Sequence, residues 1–332
     1  MRLIIQLLLL SCLALSTAAC AHTQQQTTEF KKFAREMAKK HNFNADQVER
    51  LLIGTTFRDD IIAAITRPAE SKAWHEYRPI FLKPDRVAGG VEFWRQNEAL
   101  LASVSKQYGV PAEIIVAIIG VETRYGKHTG RYRVLDALTT LAFGYPKRSD
   151  FFRRELEQFL LLTREEGVDR DSAMGSYAGA MGMPQFISSS YRRYAVDHDG
   201  DGRRDLWNSK ADIIASVASY FKTHGWKPNQ PITLLTNGGE GLQTFVDAGM
   251  KPSIKLGKLL AKGVRPLNGE TPAADSLTSL VKLDAGDKDE FWLGLHNFYV
   301  ITRYNHSNLY AMAVYQLSQQ IHAAKMTAET SR

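Results

Sequence analysis

The chain has 332 residues, of which 44% are hydrophobic and 23% are charged. That length is sufficient for two packed units, or for one domain with a substantial insertion. The formal net charge of +7 favours an anionic partner, such as a membrane surface or an acidic polymer. Lys and Arg residues are scattered along the chain and form no concentrated run, which argues against a nucleic acid as the partner.

The first 20 residues are predicted to be a targeting segment that does not belong to the fold. Arg2 gives it a positive start, and residues 3–15 form an apolar stretch too short to span a membrane stably. Residues 17–20 (TAAC) resemble a bacterial lipoprotein cleavage box, which would make Cys20 the lipid-modified first residue of the mature protein. Thr17 departs from the Leu that is usual there. The alternative is cleavage by a general signal peptidase, which would release a soluble periplasmic protein.

If Cys20 carries lipid, Ala21 in second position resembles the signal that sorts Gram-negative lipoproteins to the outer membrane. The only other cysteine, Cys12, lies inside the removed segment. The mature body would therefore contain no intramolecular disulfide and no cysteine metal site. Its stability has to come from its core and from any ion that it binds.

Helical periodicity begins soon after this segment. Residues 21–28 are rich in Gln and Thr, and they predict a flexible tether. Apolar residues then recur at helical spacing over residues 29–42, and residues 93–108 read as another amphipathic helix. No stretch between residues 29 and 225 keeps a period of two, so this part is predicted to be mainly helical.

Residues 111–126 (PAEIIVAIIGVETRYG) predict a helix that is apolar on every side. Such a helix has no solvent face, so we expect it in the middle of a domain. It carries Glu122 at its C-terminal end, where burial and the negative end of the helix dipole would raise the pKa of the carboxyl group. A carboxylic acid that is protonated near neutral pH suits a glycosidase. The plainer alternative is that Glu122 pairs with Arg124 at a solvated helix end.

A second motif, residues 175–187 (GSYAGAMGMPQFI), combines small residues with polar ones. The small residues allow close approach of another backbone or of a sugar, and close helix packing is the simpler explanation. Together with residues 121–126 and with residues 297–305 (NFYVITRYN), this motif resembles the lytic murein transglycosylases of the lysozyme superfamily. The similarity is greatest to the membrane-bound lytic transglycosylase B family, and it extends over residues 30–320.

Residues 197–208 (DHDGDGRRDLWN) match the D-x-D-x-D-G pattern of an EF-hand calcium loop. The pattern predicts the following ligands: Asp197, Asp199, Asp201, the carbonyl of Arg203, Asp205 and position 12, which is Asn208. Asn208 replaces the usual bidentate Glu, so we expect weaker calcium binding than in a sensor protein. The alternative is an Asp/Gly turn that binds nothing. The related family carries a calcium loop here, which implies a structural rather than a catalytic ion.

After Gly225 the composition changes, because Gly and Pro divide the chain into short segments. Residues 279–284 and 290–294 predict two strands. The expected fold is mainly α (α+β). It comprises a helical domain over residues 29–103, joined by the C-terminal helix 306–324, and a lysozyme-like core over residues 104–226. A small β-containing domain would occupy residues 227–305, and residues 325–332 would form a tail.

The resemblance implies cleavage of the β-1,4 bond between N-acetylmuramic acid and N-acetylglucosamine in peptidoglycan, with a 1,6-anhydro product. Glu122 would act first as acid and then as base, and no cofactor would be needed. The resemblance further implies sugar-binding residues: Tyr77, Ser176, Gln185, Tyr220, Tyr304 and Asn305. Among these, Ser176 and Tyr304 would lie near Glu122. The expected partners are glycan strands and, through the anchor, the outer membrane. The protein is expected to be a monomer.

Two other functions fit the same motifs. One is a non-catalytic, calcium-stabilised lipoprotein that binds the cell wall through the same cleft. The other is a muramidase that hydrolyses the glycosidic bond. Core packing is an alternative role for Tyr77 and Tyr220.

Overall fold

The computed structural model describes residues 23–67 and 72–330. Its helices are α1 (Gln24–His41), α2 (Ala45–Ile53), α3 (Asp59–Ile65), α4 (Trp74–Phe81), α5 (Pro84–Gln96), α6 (Glu98–Tyr108), α7 (Ala112–Thr123), α8 (Val134–Gly144), α9 (Ser149–Glu166), α10 (Ser188–Tyr194), α11 (Lys210–Thr223), α12 (Gln243–Val246), α13 (Leu256–Ala261), α14 (His296–Thr302) and α15 (Asn308–Thr330). Its strands are β1 (Tyr132–Arg133), β2 (Met174–Gly175), β3 (Thr233–Thr236), β4 (Ile254–Lys255), β5 (Leu277–Asp284) and β6 (Asp289–Gly294). The predicted mainly α class, with a small β part, is confirmed.

Both ends of the described chain are more helical than predicted. The tether over residues 21–28 is wrong from Gln24 onward, because Thr23 and Gln26 form a capping box that starts α1. The tail over residues 325–332 is wrong up to Thr330, because α15 continues to that residue. Lys325 is buried there and donates to Glu98 at 2.9 Å. The targeting segment and Cys20 lie outside the described residues.

The single helix predicted over residues 93–108 is also corrected. Asn97 leaves helical geometry, with φ −123° and ψ 25°. Its side-chain amide donates to the carbonyl of Phe93 at 2.8 Å, which closes α5 before α6 begins. The predicted domain boundary at residues 103 and 104 falls inside α6, so the chain does not break there.

The helix α7 lies at the centre of the main body. All of its residues except Glu113 and Glu122 are buried, as its apolar sequence predicts. It packs against α15, α5, α6 and α11. One continuous hydrophobic core runs from Phe30 to Ile321 and includes residues of both predicted helical parts. The C-terminal helix thus packs back onto the N-terminal helices as expected.

The β-containing part holds a four-stranded antiparallel sheet in the order β3-β6-β5-β4. Strands β5 and β6 confirm the two predicted strands. Leu293 of β6 pairs with Leu234 on one side and with Leu280 on the other, and these leucines belong to a second, smaller core. The short pair β1–β2 was not predicted, because two residues give no period. It joins Tyr132 to Gly175, at the start of the glycine-rich motif.

Across residues 23–67 and 72–330, we find no single helix that is long and apolar enough to cross a membrane. Helices α6 and α7 meet that criterion only when they are taken together, and they are bent by 111° at their junction.

Candidate active site

The end of α7 is fixed by backbone conformation and by its neighbours. Arg124 and Tyr125 follow Glu122 with φ of 49° and 62°, the left-handed conformation that stops a helix. The hydroxyl of Thr123 lies 3.2 Å from the carbonyl oxygen of Ile119 and 3.1 Å from that of Met183, which belongs to the glycine-rich motif. The two sequence motifs therefore meet directly beside Glu122.

Arg86 of α5 reaches the carbonyl end of α7. Its Nη1 donates to the carbonyl oxygen of Gly120 at 2.7 Å, with a longer contact of 3.5 Å to that of Val121. The guanidinium is buried, and it adds a second donor to the Gly120 carbonyl oxygen, which also accepts from the backbone N–H of Arg124 at 3.1 Å. A cation at this end also offsets the negative pole of the helix dipole. Arg86 thus holds the two residues that precede Glu122.

Tyr125 fills a space that only glycines leave open. A Cβ atom on Gly120 would lie 2.6 Å from the Tyr125 hydroxyl oxygen, and one on Gly90 would lie 2.7 Å from it. The hydroxyl donates to the backbone oxygen of Arg86 at 2.7 Å. The ring therefore ties the residues after Glu122 to α5, just as Arg86 ties the residues before it.

Glu122 lies half-buried among apolar groups and tyrosines. Tyr310 of α15 donates its hydroxyl hydrogen bond to Glu122 Oε1 at 2.6 Å. Burial raises the pKa of Glu122 to about 7, and the Tyr310 hydrogen bond opposes that rise. Within the described residues, no second carboxylate contributes to the shift. Near neutral pH the group exists in both protonation states, so it can give up a proton and take one back.

The sequence analysis did not predict a role for Tyr310. It lies in a helix whose periodicity indicated only a packed apolar face, and it is 188 residues away from Glu122 in sequence. The signal in the sequence that could have identified Tyr310 is a tyrosine on the apolar face of a helix, because a buried phenolic hydroxyl needs a hydrogen-bond partner. Its ring stacks on that of Tyr304, with centroids 6.4 Å apart and an interplanar angle of 11°.

The predicted cleft tyrosines lie around Glu122 and Tyr310, but the hydroxyls of Tyr304 and Tyr220 bond to backbone carbonyls of the protein itself. Tyr304 donates to the carbonyl of Pro184 at 2.7 Å, and Tyr220 donates to the carbonyl of Arg303. Their rings lie 4.7 Å apart in an aromatic cluster. Tyr77 is only 3% exposed and packs against Trp74 and Phe81. Tyr304 lies near Glu122, because its ring stacks on that of Tyr310, whose hydroxyl bonds Glu122.

Ser176 organises the glycine-rich loop. Its Oγ accepts hydrogen bonds from the backbone N–H groups of Ala178 (3.3 Å) and Ala180 (3.0 Å). A Cβ on Gly175 would lie 2.3 Å from the carbonyl oxygen of Ala180, so the small residues serve close backbone packing. A role for Ser176 toward a sugar near Glu122 stays a prediction.

Gln185 and Asn305 are the remaining predicted sugar-binding residues. Gln185 has φ of 54°, and its Nε2 donates to the carbonyls of Thr129 (3.1 Å) and Gly182 (2.9 Å). It therefore joins the glycine-rich motif to the loop that follows α7. Asn305 lies in the turn between α14 and α15, directly after Tyr304. A direct contact of either side chain with sugar stays a prediction.

The acidic loop has a different set of converging oxygens from the predicted one. Carboxylate oxygens of Asp197, Asp199 and Asp212 lie within 4.8 Å of one another. Asp212 was missed because it belongs to the first turn of α11, beyond the twelve-residue pattern. It is buried and accepts from the backbone N–H groups of His198 (2.7 Å) and Asp205 (2.8 Å).

The other two predicted carboxylate ligands, Asp201 and Asp205, do not join this trio. Asp201 accepts from the backbone of Arg203 at 2.9 Å. The Asp205 carboxylate accepts from the backbone of Trp207 and from both the backbone and the side-chain amide of Asn208. These contacts place Asp205 and Asn208 in a local turn, and calcium binding by any of the predicted ligands stays a prediction.

Comparison with known proteins agrees with this geometry. Residues 25–319 match the family model of the transglycosylase SLT domain. The chain is 43% identical over 307 residues to the membrane-bound lytic murein transglycosylase B of Escherichia coli strain K12, which covers 89% of this chain and 83% of that one. The crystal structure of the soluble lytic transglycosylase SltB1 from Pseudomonas aeruginosa is 49% identical, with a TM-score of 0.83, covering 90% of this chain and 99% of that one.

A third similar structure is the E. coli lytic transglycosylase Slt35 in complex with calcium. It is 42% identical, with a TM-score of 0.81, and it covers 91% of this chain and 94% of that one. Extensive similarity of both sequence and fold to these enzymes confirms the resemblance that the motifs indicated. The chain belongs to the transglycosylase SLT domain family, and it is a lytic transglycosylase of the membrane-bound lytic murein transglycosylase B type that acts on peptidoglycan.

Proposed function

We propose that Glu122 alone performs both proton transfers of the reaction. The observation that carries the proposal is its environment: a carboxyl group with a pKa of about 7, bonded by the Tyr310 hydroxyl. Glycosidases with two carboxylates assign the acid and the nucleophile or base to separate groups. Here the Glu122 carboxyl group, at a pH near its pKa, takes the role of acid and then that of base.

In the first step, protonated Glu122 gives its proton to the oxygen that links N-acetylmuramic acid to N-acetylglucosamine. The glycosidic bond breaks as positive charge develops at the muramoyl C1, and N-acetylglucosamine leaves with a free hydroxyl group. In the second step, the Glu122 carboxylate takes the proton of the muramoyl O6 hydroxyl while O6 bonds to C1. The acid is restored, a 1,6-anhydro ring closes, and no water is consumed.

The products of murein digestion test this proposal against hydrolysis. We expect mass spectrometry to find muramoyl ends with a 1,6-anhydro ring, each lighter by one water than the hydrolysed form. A parallel digestion in ¹⁸O-labelled water is the control, because a hydrolase would place the label at the muramoyl C1. Labelled reducing ends as the main product would overturn the one-carboxylate mechanism.

For the acidic loop we propose a structural calcium ion and none for catalysis. Carboxylate oxygens are the ligands that calcium prefers, and three of them converge here. A similar structure, that of E. coli Slt35, was determined in complex with calcium. The ion would neutralise the repulsion between these side chains and so stabilise the connection from α10 to α11.

Removing calcium is expected to lower the thermal unfolding midpoint, because a ligand that binds only the folded state stabilises it by mass action. We expect Asp212→Asn to lose most of the gain that added calcium gives, whereas Asp275→Asn, an exposed residue outside the loop, keeps it. Differential scanning calorimetry with calcium and with a chelator measures both. An unchanged midpoint in the unsubstituted protein would remove the calcium assignment.

For localisation we propose the periplasm, with the chain held at the inner face of the outer membrane through lipid on Cys20. The TAAC box supports this proposal. One relative is named membrane-bound and another soluble, so both locations occur among similar proteins. Release as a soluble periplasmic protein is the alternative.

A further inference from the structure

The helix α1 has a basic face that the catalytic mechanism does not use. Its apolar side is buried in the core through Phe30, Phe33, Ala34 and Met37. Positions 28, 31, 32, 35, 36 and 39 follow the i, i+3, i+4 spacing of one helix face and line one continuous surface. That surface presents four exposed cations: Lys31, Lys32, Arg35 and Lys39. Its only acidic residue is Glu36.

No ion pair within the described part of the chain neutralises these four cations. In the described part of the chain, the ion pairs of α1 join Glu29 to Arg153, and Lys40 and His41 to Glu157. None of these ion pairs includes one of the four cations. The basic face therefore keeps its charge available for an external anionic surface.

The position of α1 in the chain indicates which anionic surface this basic face would bind. Only Ala21 and His22 separate Cys20 from Thr23, the cap of α1. Three residues of chain span at most roughly 10 Å. That distance is about the Debye length at physiological salt, so an anchor at Cys20 would keep the start of α1 within reach of headgroup charge.

We propose that this basic face of α1 binds the anionic phospholipid headgroups of the leaflet that holds the N-terminus. Each Lys or Arg near such a surface adds to the electrostatic attraction. Acyl chains would secure the protein, and the basic face would lay α1 along the membrane and so orient the catalytic body. The geometry rests on the anchor proposed above, whereas the charge attraction acts without it.

Vesicle flotation of the chain beginning at Ala21 tests the attraction without any acyl group. This chain keeps the whole packed core, which starts at Phe30. We expect it to bind phosphatidylcholine vesicles that contain phosphatidylglycerol, and not vesicles of phosphatidylcholine alone. Replacing all four cations with Gln should lower the partition coefficient roughly tenfold or more.

A matched control changes the same net charge elsewhere. The exposed residues Lys251, Lys255, Lys258 and Lys262 of the β-containing part are replaced with Gln. This variant should keep vesicle binding, which separates a specific face from total charge. Equal losses in both variants, or no loss in either, would overturn the proposal. So would a loss of binding to isolated murein sacculi with vesicle binding intact, because the wall would then be the partner.

Two further readouts keep the outcomes distinct. Circular dichroism melting of both variants checks that the exposed substitutions leave the fold intact. Digestion of isolated murein by the α1 variant should be unchanged, because none of the four residues lies in the active site. Failure of the membrane proposal would therefore leave the role of Glu122 untouched, and failure of that role would leave the vesicle result standing.

Discussion

Glu122→Gln is expected to reduce turnover of murein by roughly 10³-fold or more, because it removes the group that we propose exchanges the proton at the glycosidic bond. Gln has nearly the same shape, and its side-chain oxygen can still accept the hydrogen bond from Tyr310. Binding of murein should therefore persist while the reaction stops. The measurement is release of soluble muropeptides, together with co-sedimentation on intact sacculi.

The same variant should change how stability depends on pH. Burial raises the pKa of Glu122 to about 7 in the folded protein, well above the ordinary Glu value that the unfolded chain has. The folded state thus holds the proton more tightly, and this contribution is complete in acid and is lost as the pH rises through about 7. Gln does not ionise. The stability of the Gln variant relative to the unsubstituted protein should therefore rise by at most about 3 kcal/mol between pH 4 and pH 9.

Thermal melts across this pH range measure that difference. A parallel pH dependence in the two proteins would show that Glu122 is freely solvated, which contradicts the half-buried site described here. Murein release at the unsubstituted rate would contradict its role as acid, and it would favour the wall-binding function in which Glu122 does no chemistry.

Tyr310→Phe is expected to move the alkaline limb of the pH–rate profile upward. The Tyr310 hydroxyl stabilises the ionised form of Glu122, and its loss should raise the pKa of that group above about 7. A hydrogen bond to a charged group contributes about 1.5–3 kcal/mol, which corresponds to a shift of about 1–2 pH units. The acid step would then persist to higher pH, and the base step would slow at neutral pH. The measurement is kcat/KM as a function of pH.

Tyr304→Phe is the matched control for this prediction. Tyr304 is half-buried and stacks on Tyr310, but its hydroxyl donates to the Pro184 carbonyl rather than to Glu122. We expect its substitution to affect KM or stability and to leave the alkaline limb in place. Equal displacement of the limb in both variants would mean that general repacking of the aromatic cluster, and not the hydrogen bond, sets the pKa.

Features encoded within one short segment were predictable. The all-round apolarity of α7 showed that it would be buried, and the position of Glu122 at its end showed where an acid would emerge. Turn residues likewise marked strands β5 and β6. Local composition was misleading where a cap outweighed it, as when Thr23 and Gln26 started α1 inside a stretch that looked like a tether.

Sequence by itself determined the central helix, the acid at its end and the motif that meets it, because periodicity and spacing within a segment fix which face is buried. Only the tertiary structure decided the partners of those residues. Tyr310 reaches Glu122 from a helix near the other end of the chain, Arg86 reaches the end of α7 from α5, and Asp212 joins the acidic loop from α11. Such contacts depend on how helices pack against one another, and the periodicity of a single helix carries no information about its neighbour.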